Sequence, residues 1–273
     1  FFKQKTAYEI GSGLVGSGKT RALTCRVAHL LETGVPAWHI LAITFTNKAA
    51  REMRERIDRL TGGMAGEAWV TTFHACCARI LRREIERLGY ERTFSIYDDA
   101  DQQALLRRIV RELSLNDKVY TPRMLAARIS DAKNHSLDPA RLLREEGAPQ
   151  QVCDAFARYE KALRHNNALD FDDLLLKVLE LFERFPEVLQ RYQQRFRYIL
   201  VDEYQDTNLA QYHIVQRLAA AHRNLCVVGD DDQSIYGWRG ADIRNILEFE
   251  KDFPGAKVVR LEQNYRSTGR ILD

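Results

Sequence analysis

Apolar and polar positions along this chain follow two alternating rhythms. The run His39-Ile40-Leu41-Ala42-Ile43-Thr44-Phe45 is continuously apolar until a polar turn, the pattern of a strand buried on both faces. Residues 47–60 then repeat apolar side chains at helical spacing, with Ala49, Ala50, Met53 and Ile57 on one face. Ala68-Trp69-Val70-Thr71-Thr72-Phe73 predicts a second strand, and residues 76–88 a second helix. Nearer the start, residues 21–32 carry Leu23, Val27, Leu30 and Leu31 on one helical face before Gly34 ends the pattern. Strands alternating with helices predict an α/β fold: a parallel sheet covered on both faces.

The rhythm changes between about 89 and 167. Long Arg/Glu/Leu-rich helical patterns dominate there, strands are few, and Pro122, Pro139 and Pro149 break the pattern. This stretch reads as a mostly helical insertion over 90–168. An amphipathic helix over 172–185 follows, stopped by Pro186, and the α/β pattern returns at 198–201 and 224–229. No internal repeat or low-complexity segment is present.

Residues 1–12, Phe-Phe-Lys-Gln-Lys-Thr-Ala-Tyr-Glu-Ile-Gly-Ser, do not form an apolar strand pattern. Lys3 to Ile10 resembles the conceptual translation of a sequencing-adapter oligonucleotide. The expectation is a non-native extension, with native sequence starting near Gly13.

Composition narrows the class. At 273 residues and 45% hydrophobic, the chain can bury a large core and is expected to hold more than one domain. No apolar run approaches membrane-spanning length and no leader pattern is read, so no membrane partner is expected. Five cysteines fit no C-x-x-C spacing and read as reduced thiols of a cytosolic protein. A net charge of +3 does not by itself indicate nucleic-acid binding, so any basic surface must be local. The charged run 79–92 mixes Arg with Glu at helical spacing and reads as a solvated, self-paired helix face.

Two segments carry chemistry. Gly13-Leu14-Val15-Gly16-Ser17-Gly18-Lys19-Thr20 fits the phosphate-cradling pattern G-x-x-x-x-G-K-[ST] in full. Glycines allow backbone N–H groups to turn inward around phosphate oxygens, Lys19 reaches the terminal phosphates, and Thr20 offers a hydroxyl to Mg²⁺ at a helix N-terminus. Downstream, Tyr198-Ile199-Leu200 leads into Val201-Asp202-Glu203-Tyr204-Gln205-Asp206-Thr207-Asn208, a strand ending in adjacent carboxylates. Asp202 is then a metal-holding acid, and Glu203, one residue on, is the candidate general base for an attacking water.

Five blocks in fixed order resemble the signature motifs of superfamily 1 DNA helicases of the UvrD/Rep/PcrA type. They are GLVGSGKTR (13–21), ITFTNKAAREM (43–53), TTFHA (71–75), VDEYQDTN (201–208) with VVGDDDQSIYGWRGA (227–241), and LEQNYRST (261–268). LDFDDLL (169–175) resembles the same family. The resemblance implies a RecA-like P-loop lobe over 13–89 and 169–256, the insertion over 90–168, and the start of a second, truncated lobe over 257–273. ATP and Mg²⁺ are the implied cofactors. Gly13, Gly16, Ser17, Gly18, Lys19 and Thr20 would bind nucleotide, and Thr20 with Asp202 the metal. Gln233 would sense the γ-phosphate, and Arg266 would act as an arginine finger on lobe closure. Arg21 is read either as a neighbour of the nucleotide or as a solvated helix arginine. Phe45, Tyr236 and Trp238 are expected to stack on DNA bases, with Arg239 and His74 on phosphates or bases. For Phe45 core packing stays open, and for His74 a structural hydrogen bond.

The implied activity is an ATP-dependent 3′→5′ translocase and helicase acting on single-stranded DNA and single-strand/duplex junctions, alongside repair or replication proteins. Two alternatives stand beside it: a nucleotide- and DNA-binding fragment without catalysis, and part of a helicase–nuclease subunit. With the second lobe barely begun, little DNA-stimulated turnover is expected of these 273 residues alone.

Overall fold

The computed structural model describes residues 9–13, 18–230, 244–247 and 249–261. In chain order they form β1 (Glu9–Gly13), α1 (Lys19–Glu32), β2 (Ile40–Thr44), α2 (Asn47–Thr61), β3 (Trp69–Thr72) and α3 (Phe73–Glu84). Then come β4 (Ser95–Ile96), α4 (Asp99–Glu112), α5 (Pro122–Asn134), α6 (Pro139–Glu146), α7 (Gln150–His165), β5 (Ala168–Leu169) and α8 (Phe171–Arg184). The chain continues through α9 (Pro186–Arg195), β6 (Tyr198–Val201), α10 (Leu209–Ala219), β7 (Leu225–Gly229), α11 (Arg244–Leu247), α12 (Phe249–Asp252) and β8 (Lys257–Leu261). By density of contacts, residues 77–184 form one compact unit and the flanking segments another. The sequence-based division draws its insertion at 90–168.

In the flanking unit, six strands lie in the order β3-β2-β6-β7-β1-β8, every neighbouring pair parallel. Ile43 stands opposite Val201, Val201 opposite Val227, and Val227 opposite Ile10, so the central strands all run towards one carboxyl edge. β2 is buried at every position. Its Ile40 and Ala42 share a core with Leu23, Val27 and Leu30 of α1 and Met53 and Ile57 of α2. A buried aromatic pair, Trp69 edge-on to Phe196 with ring centroids 4.9 Å apart, lies outside that core. Burial on both faces is why these strands read as unbroken apolar runs.

Element ends move for local reasons. α3 starts at Phe73, ahead of the expected 76, because the Thr72 hydroxyl accepts the Ala75 N–H (3.3 Å). Against the expectation that no strand precedes the P-loop, Glu9–Gly13 lie between β7 and β8 and pair with both. Two neighbouring ladders can satisfy a backbone whose own side chains would not nominate it as a strand. Residues 257–261, expected at the start of a second lobe, form the edge strand of this sheet.

The unit of residues 77–184 is mostly helical. Leu106 and Ile109 of α4, Leu125 and Ile129 of α5, and Val152, Phe156 and Tyr159 of α7 form its core. The prolines read as breaks are helix starts. Pro122 and Pro139 occupy the first turns of α5 and α6, behind Thr121 and Asp138, whose side chains accept the Met124 and Arg141 N–H groups. Pro149 caps α7, and Pro186 likewise opens α9 in the other unit. A two-residue parallel pairing, β4 with β5, was not expected.

A charged cluster is buried inside this helical unit. Asp170 accepts the Asp173 N–H (2.8 Å) and its own N–H donates to Asp173 (3.2 Å), a reciprocal cap at the start of α8. Lys133 of α5 donates from Nζ to Asp170 (2.7 Å) and Asp173 (2.8 Å) and pairs with Glu160 of α7 at 2.8 Å. Tyr159 donates its hydroxyl to Asp170 at 3.1 Å. Burial, reinforced by the charge of Asp170, lifts Asp173 to about 7 despite Lys133. Asp170 is as buried, yet the charge and hydrogen bond of Lys133 hold it below the ordinary carboxylate range.

Candidate functional site

The sequence-predicted residues gather on the carboxyl edge of the sheet. Lys19 opens α1, with Gly18 before it in the left-handed region (φ 89°), and Asp202 follows β6 directly. Asp230 follows β7. Three segments far apart in sequence are thus delivered to one place by parallel strands, where ligands of such sheets collect.

Their contacts are specific. Lys19 Nζ lies 2.8 Å from Asp230 Oδ2, with both residues buried. Asp202 is 4% exposed, its Oδ1 accepts the Glu203 N–H at 3.1 Å, and the nearby Thr20 side chain favours its ionised form. Burial, and then the charge of Glu203, push the Asp202 carboxyl up to about 6, with Thr20 and Lys19 pulling the other way. Glu203 itself adopts φ 52°, a left-handed backbone that costs a non-glycine residue about 1 kcal/mol or more. Active sites are where such strain collects.

Gln205, 1% exposed, stands behind this pair. Its Nε2 donates to Glu203 Oε2 at 3.0 Å, and its Oε1 accepts the Asp230 N–H at 3.0 Å. The approach is close: a Cβ at Gly229 would sit 2.6 Å from Gln205 Oε1 and 2.6 Å from Ile246 Cδ1. Gln205 and Asp230 were not singled out from the sequence. The available signal was burial of polar side chains immediately beyond strands β6 and β7, which only tertiary structure makes visible.

The remaining candidates divide. Arg21 is exposed on the first turn of α1. Phe45 follows β2 and His74 follows β3, two strands in register with Thr44 opposite Thr72, and both side chains are half-buried. They occupy the half of the carboxyl edge away from Lys19. Gly13 ends β1. Gly16, Ser17, Gln233, Tyr236, Trp238, Arg239 and Arg266 lie outside the described residues. Among the described residues, no cluster of three or more His, Cys, Asp or Glu has metal-binding geometry, and no helix is long and apolar enough to cross a membrane.

A parallel sheet whose carboxyl edge sets the lysine and threonine of a phosphate-loop sequence beside a strand-end aspartate defines the class: a RecA-like P-loop lobe. Residues 10–254 match the family model of the UvrD/REP helicase N-terminal domain, and the chain belongs to that family. It is 56% identical over 260 residues to the ATP-dependent DNA helicase PcrA of Bacillus subtilis (strain 168), covering 94% of this chain and 35% of that protein. The same-named helicases of Staphylococcus aureus (strain Mu50) and Staphylococcus epidermidis are 53% and 52% identical over 261 residues, covering 94% of this chain and 36% of each. The chain therefore spans about a third of the length of the curated relatives it matches.

Proposed function

We propose that this chain supplies the first nucleotide-binding lobe of an ATP-dependent DNA helicase, which couples Mg–ATP hydrolysis to 3′→5′ movement on single-stranded DNA and to unwinding at junctions. The observation that carries the proposal is the convergence of Lys19, Thr20 and Asp202 at one sheet edge, in a chain of the UvrD/REP family. The division into a lobe over 13–89 and 169–256, an insertion over 90–168 and a second lobe from 257 belongs to the same reading. So do action in the cytosol and work beside repair or replication proteins.

The residues suit the cofactors. Asp202 is a buried carboxylate with one N–H as partner, the Thr20 side chain nearby and a carboxyl raised to about 6, a site short of positive charge that a divalent cation would supply. Asp202 and Thr20 would hold Mg²⁺, which when bound neutralises charge building on the phosphoryl group. Lys19 would exchange Asp230 for the terminal phosphates. Glu203 would take the proton of the attacking water, beside the metal but not committed to it. Gln233 as γ-phosphate sensor and Arg266 as finger complete the reading. Phe45 and His74, on the other half of the edge, would meet DNA together with Tyr236, Trp238 and Arg239, stacking supplying roughly 1–3 kcal/mol per base without regard to sequence.

Binding of a fluorescent ATP analogue with Mg²⁺, and of labelled single-stranded homopolymers, tests the proposal. Lys19→Ala is expected to weaken nucleotide binding at least tenfold, on the order of one charge-assisted contact, and to leave DNA binding intact. Phe45→Ala is expected to weaken binding to different homopolymers alike. Equal nucleotide affinity for the wild type and Lys19→Ala would overturn the assignment of the site.

A further inference from the structure

Neither the catalytic roles assigned above nor the phosphate-loop pattern uses Gln205, although its side chain touches both halves of the site. It stands two residues beyond Glu203, in the 3-10 turn Tyr204–Asp206, and is 1% exposed. A buried primary amide must have its donors and acceptor satisfied, and the partners it finds are informative. The donor goes to Glu203 Oε2 at 3.0 Å, and the acceptor takes the backbone N–H of Asp230 at 3.0 Å. A second, longer contact runs from Nε2 to Asp206 Oδ2 at 3.4 Å. Asp230 in turn holds Lys19 at 2.8 Å.

From this geometry we infer that Gln205 is a positioning residue: its amide orients the Glu203 carboxylate for the attacking water and ties that carboxylate to the end of β7, where Asp230 holds the phosphate-loop lysine. The inference rests on the reading of Glu203 as general base. Three features support a positioning role over simple filling of space. Glu203 sits on a strained left-handed backbone, and the Gln205 amide holds its carboxylate oxygen at 3.0 Å. Gly229 has no Cβ, and one there would meet the Gln205 amide oxygen at 2.6 Å, so the approach of the amide to β7 needs that glycine. The two partners lie just beyond the ends of different strands, Glu203 past β6 and Asp230 past β7, and those strands are paired from Ile199 to Val201. The amide links the two segments beyond Val201 and Val227, the last pair of the β6–β7 ladder. Release of Lys19 from Asp230 would therefore be felt at Glu203 through one side chain.

The test uses three variants of the lobe, carried in the full-length protein. Gln205→Met keeps the volume and removes both hydrogen bonds. Gln205→Glu keeps an acceptor for the Asp230 N–H but sets a like charge against Glu203. Glu203→Gln removes the base. In single-turnover Mg–ATP hydrolysis, Gln205→Met is expected to lower the rate constant on the order of 10- to 100-fold, as a misplaced catalytic group does, while the nucleotide concentration for half-saturation stays within about twofold. Gln205→Glu is expected to lower it further. On the Glu203→Gln background, Gln205→Met should have no added effect, because the two act as one unit. A merely structural role would instead lower binding and rate together and add to the loss from Glu203→Gln; that outcome overturns the inference. If Glu203→Gln leaves the rate unchanged, the assigned general base fails instead, a separable result. A measurement independent of turnover accompanies these: the side-chain amide protons of Gln205 in a ¹⁵N-labelled chain should exchange slowly with solvent, and faster in Glu203→Ala. Rapid exchange in the wild type refutes the inference by itself.

Discussion

Replacing Lys133 by methionine should destabilise the helical unit far more than its single ammonium group suggests. The side chain is 4% exposed and its Nζ lies 2.7–2.8 Å from Asp170, Asp173 and Glu160. Methionine fills much the same space, so little of the loss comes from a cavity. What remains are two buried carboxylates, Asp170 and Asp173, without their cation. Breaking a buried pair by removing one partner typically costs about 3–5 kcal/mol. Glu160 is more than a third exposed and adds little.

The sign of the pH dependence follows from the same contacts. Asp170 is held below its ordinary range in the wild type, so it contributes stability above its unfolded value that is lost as the pH falls. Without Lys133 it loses that support and takes up a proton in the folded state. Asp173, already raised to about 7, destabilises as the pH rises towards that value and is relieved below it. The penalty of Lys133→Met should therefore be largest near pH 8 and shrink towards pH 5, by up to about 1.4 kcal/mol per pH unit for one additional proton. Urea unfolding followed by circular dichroism at pH 8 and pH 5.5 reads both quantities. Adding Asp173→Asn, which keeps an acceptor for the Asp170 N–H and removes one charge, should recover about half of the loss at pH 8. A penalty under about 1 kcal/mol, equal at both pH values, would refute the reasoning.

Two further outcomes follow from the site. Gly229→Ala inserts a methyl 2.6 Å from both Gln205 Oε1 and Ile246 Cδ1, and should lower stability by about 1–3 kcal/mol in urea titrations, as overpacking does; an unchanged midpoint would contradict that geometry. Because Asp202 is raised to about 6 and, as the proposed metal acid, would hold a cation only when ionised, Mg²⁺ affinity measured by calorimetry should be level above pH 7 and fall towards tenfold per unit below 6, with Asp202→Asn flat and weak; a level wild-type profile would sink this.

Much of this architecture is legible in the sequence because parallel strands buried on both faces leave unbroken apolar runs: residues 198–201 were bounded as found, and β2 differs by one residue at each end. The helical unit is less so. Pro122, Pro139 and Pro186 look like stops, yet proline at a first helical position starts a helix, and only the residue before it (Thr121, Asp138) tells the two apart. The Asp-Phe-Asp-Asp segment, read from the sequence only as a family resemblance, is a helix cap that also meets a lysine 37 residues upstream. Of the candidate site, Lys19, Thr20 and Asp202 were named from local pattern. Lys19 with Asp230 joins residues 211 apart, and no periodicity encodes such a pair. β1 was unreadable for a different reason, since backbone pairing alone accounts for it.

The ion pair between Lys19 and Asp230 gives the site a counter-ion of its own. An anionic ligand arriving there does not add charge balance to a bare lysine; it trades places with a carboxylate already present. If Lys19 takes up phosphates as proposed, recognition would be an exchange reaction inside the protein, and the incoming anion would have to beat a competitor held in the same chain. A carboxylate or a single weak phosphate would lose that contest, whereas a polyphosphate with several acceptor oxygens would win it. On that reading, discrimination against small anions would follow from the ion pair itself.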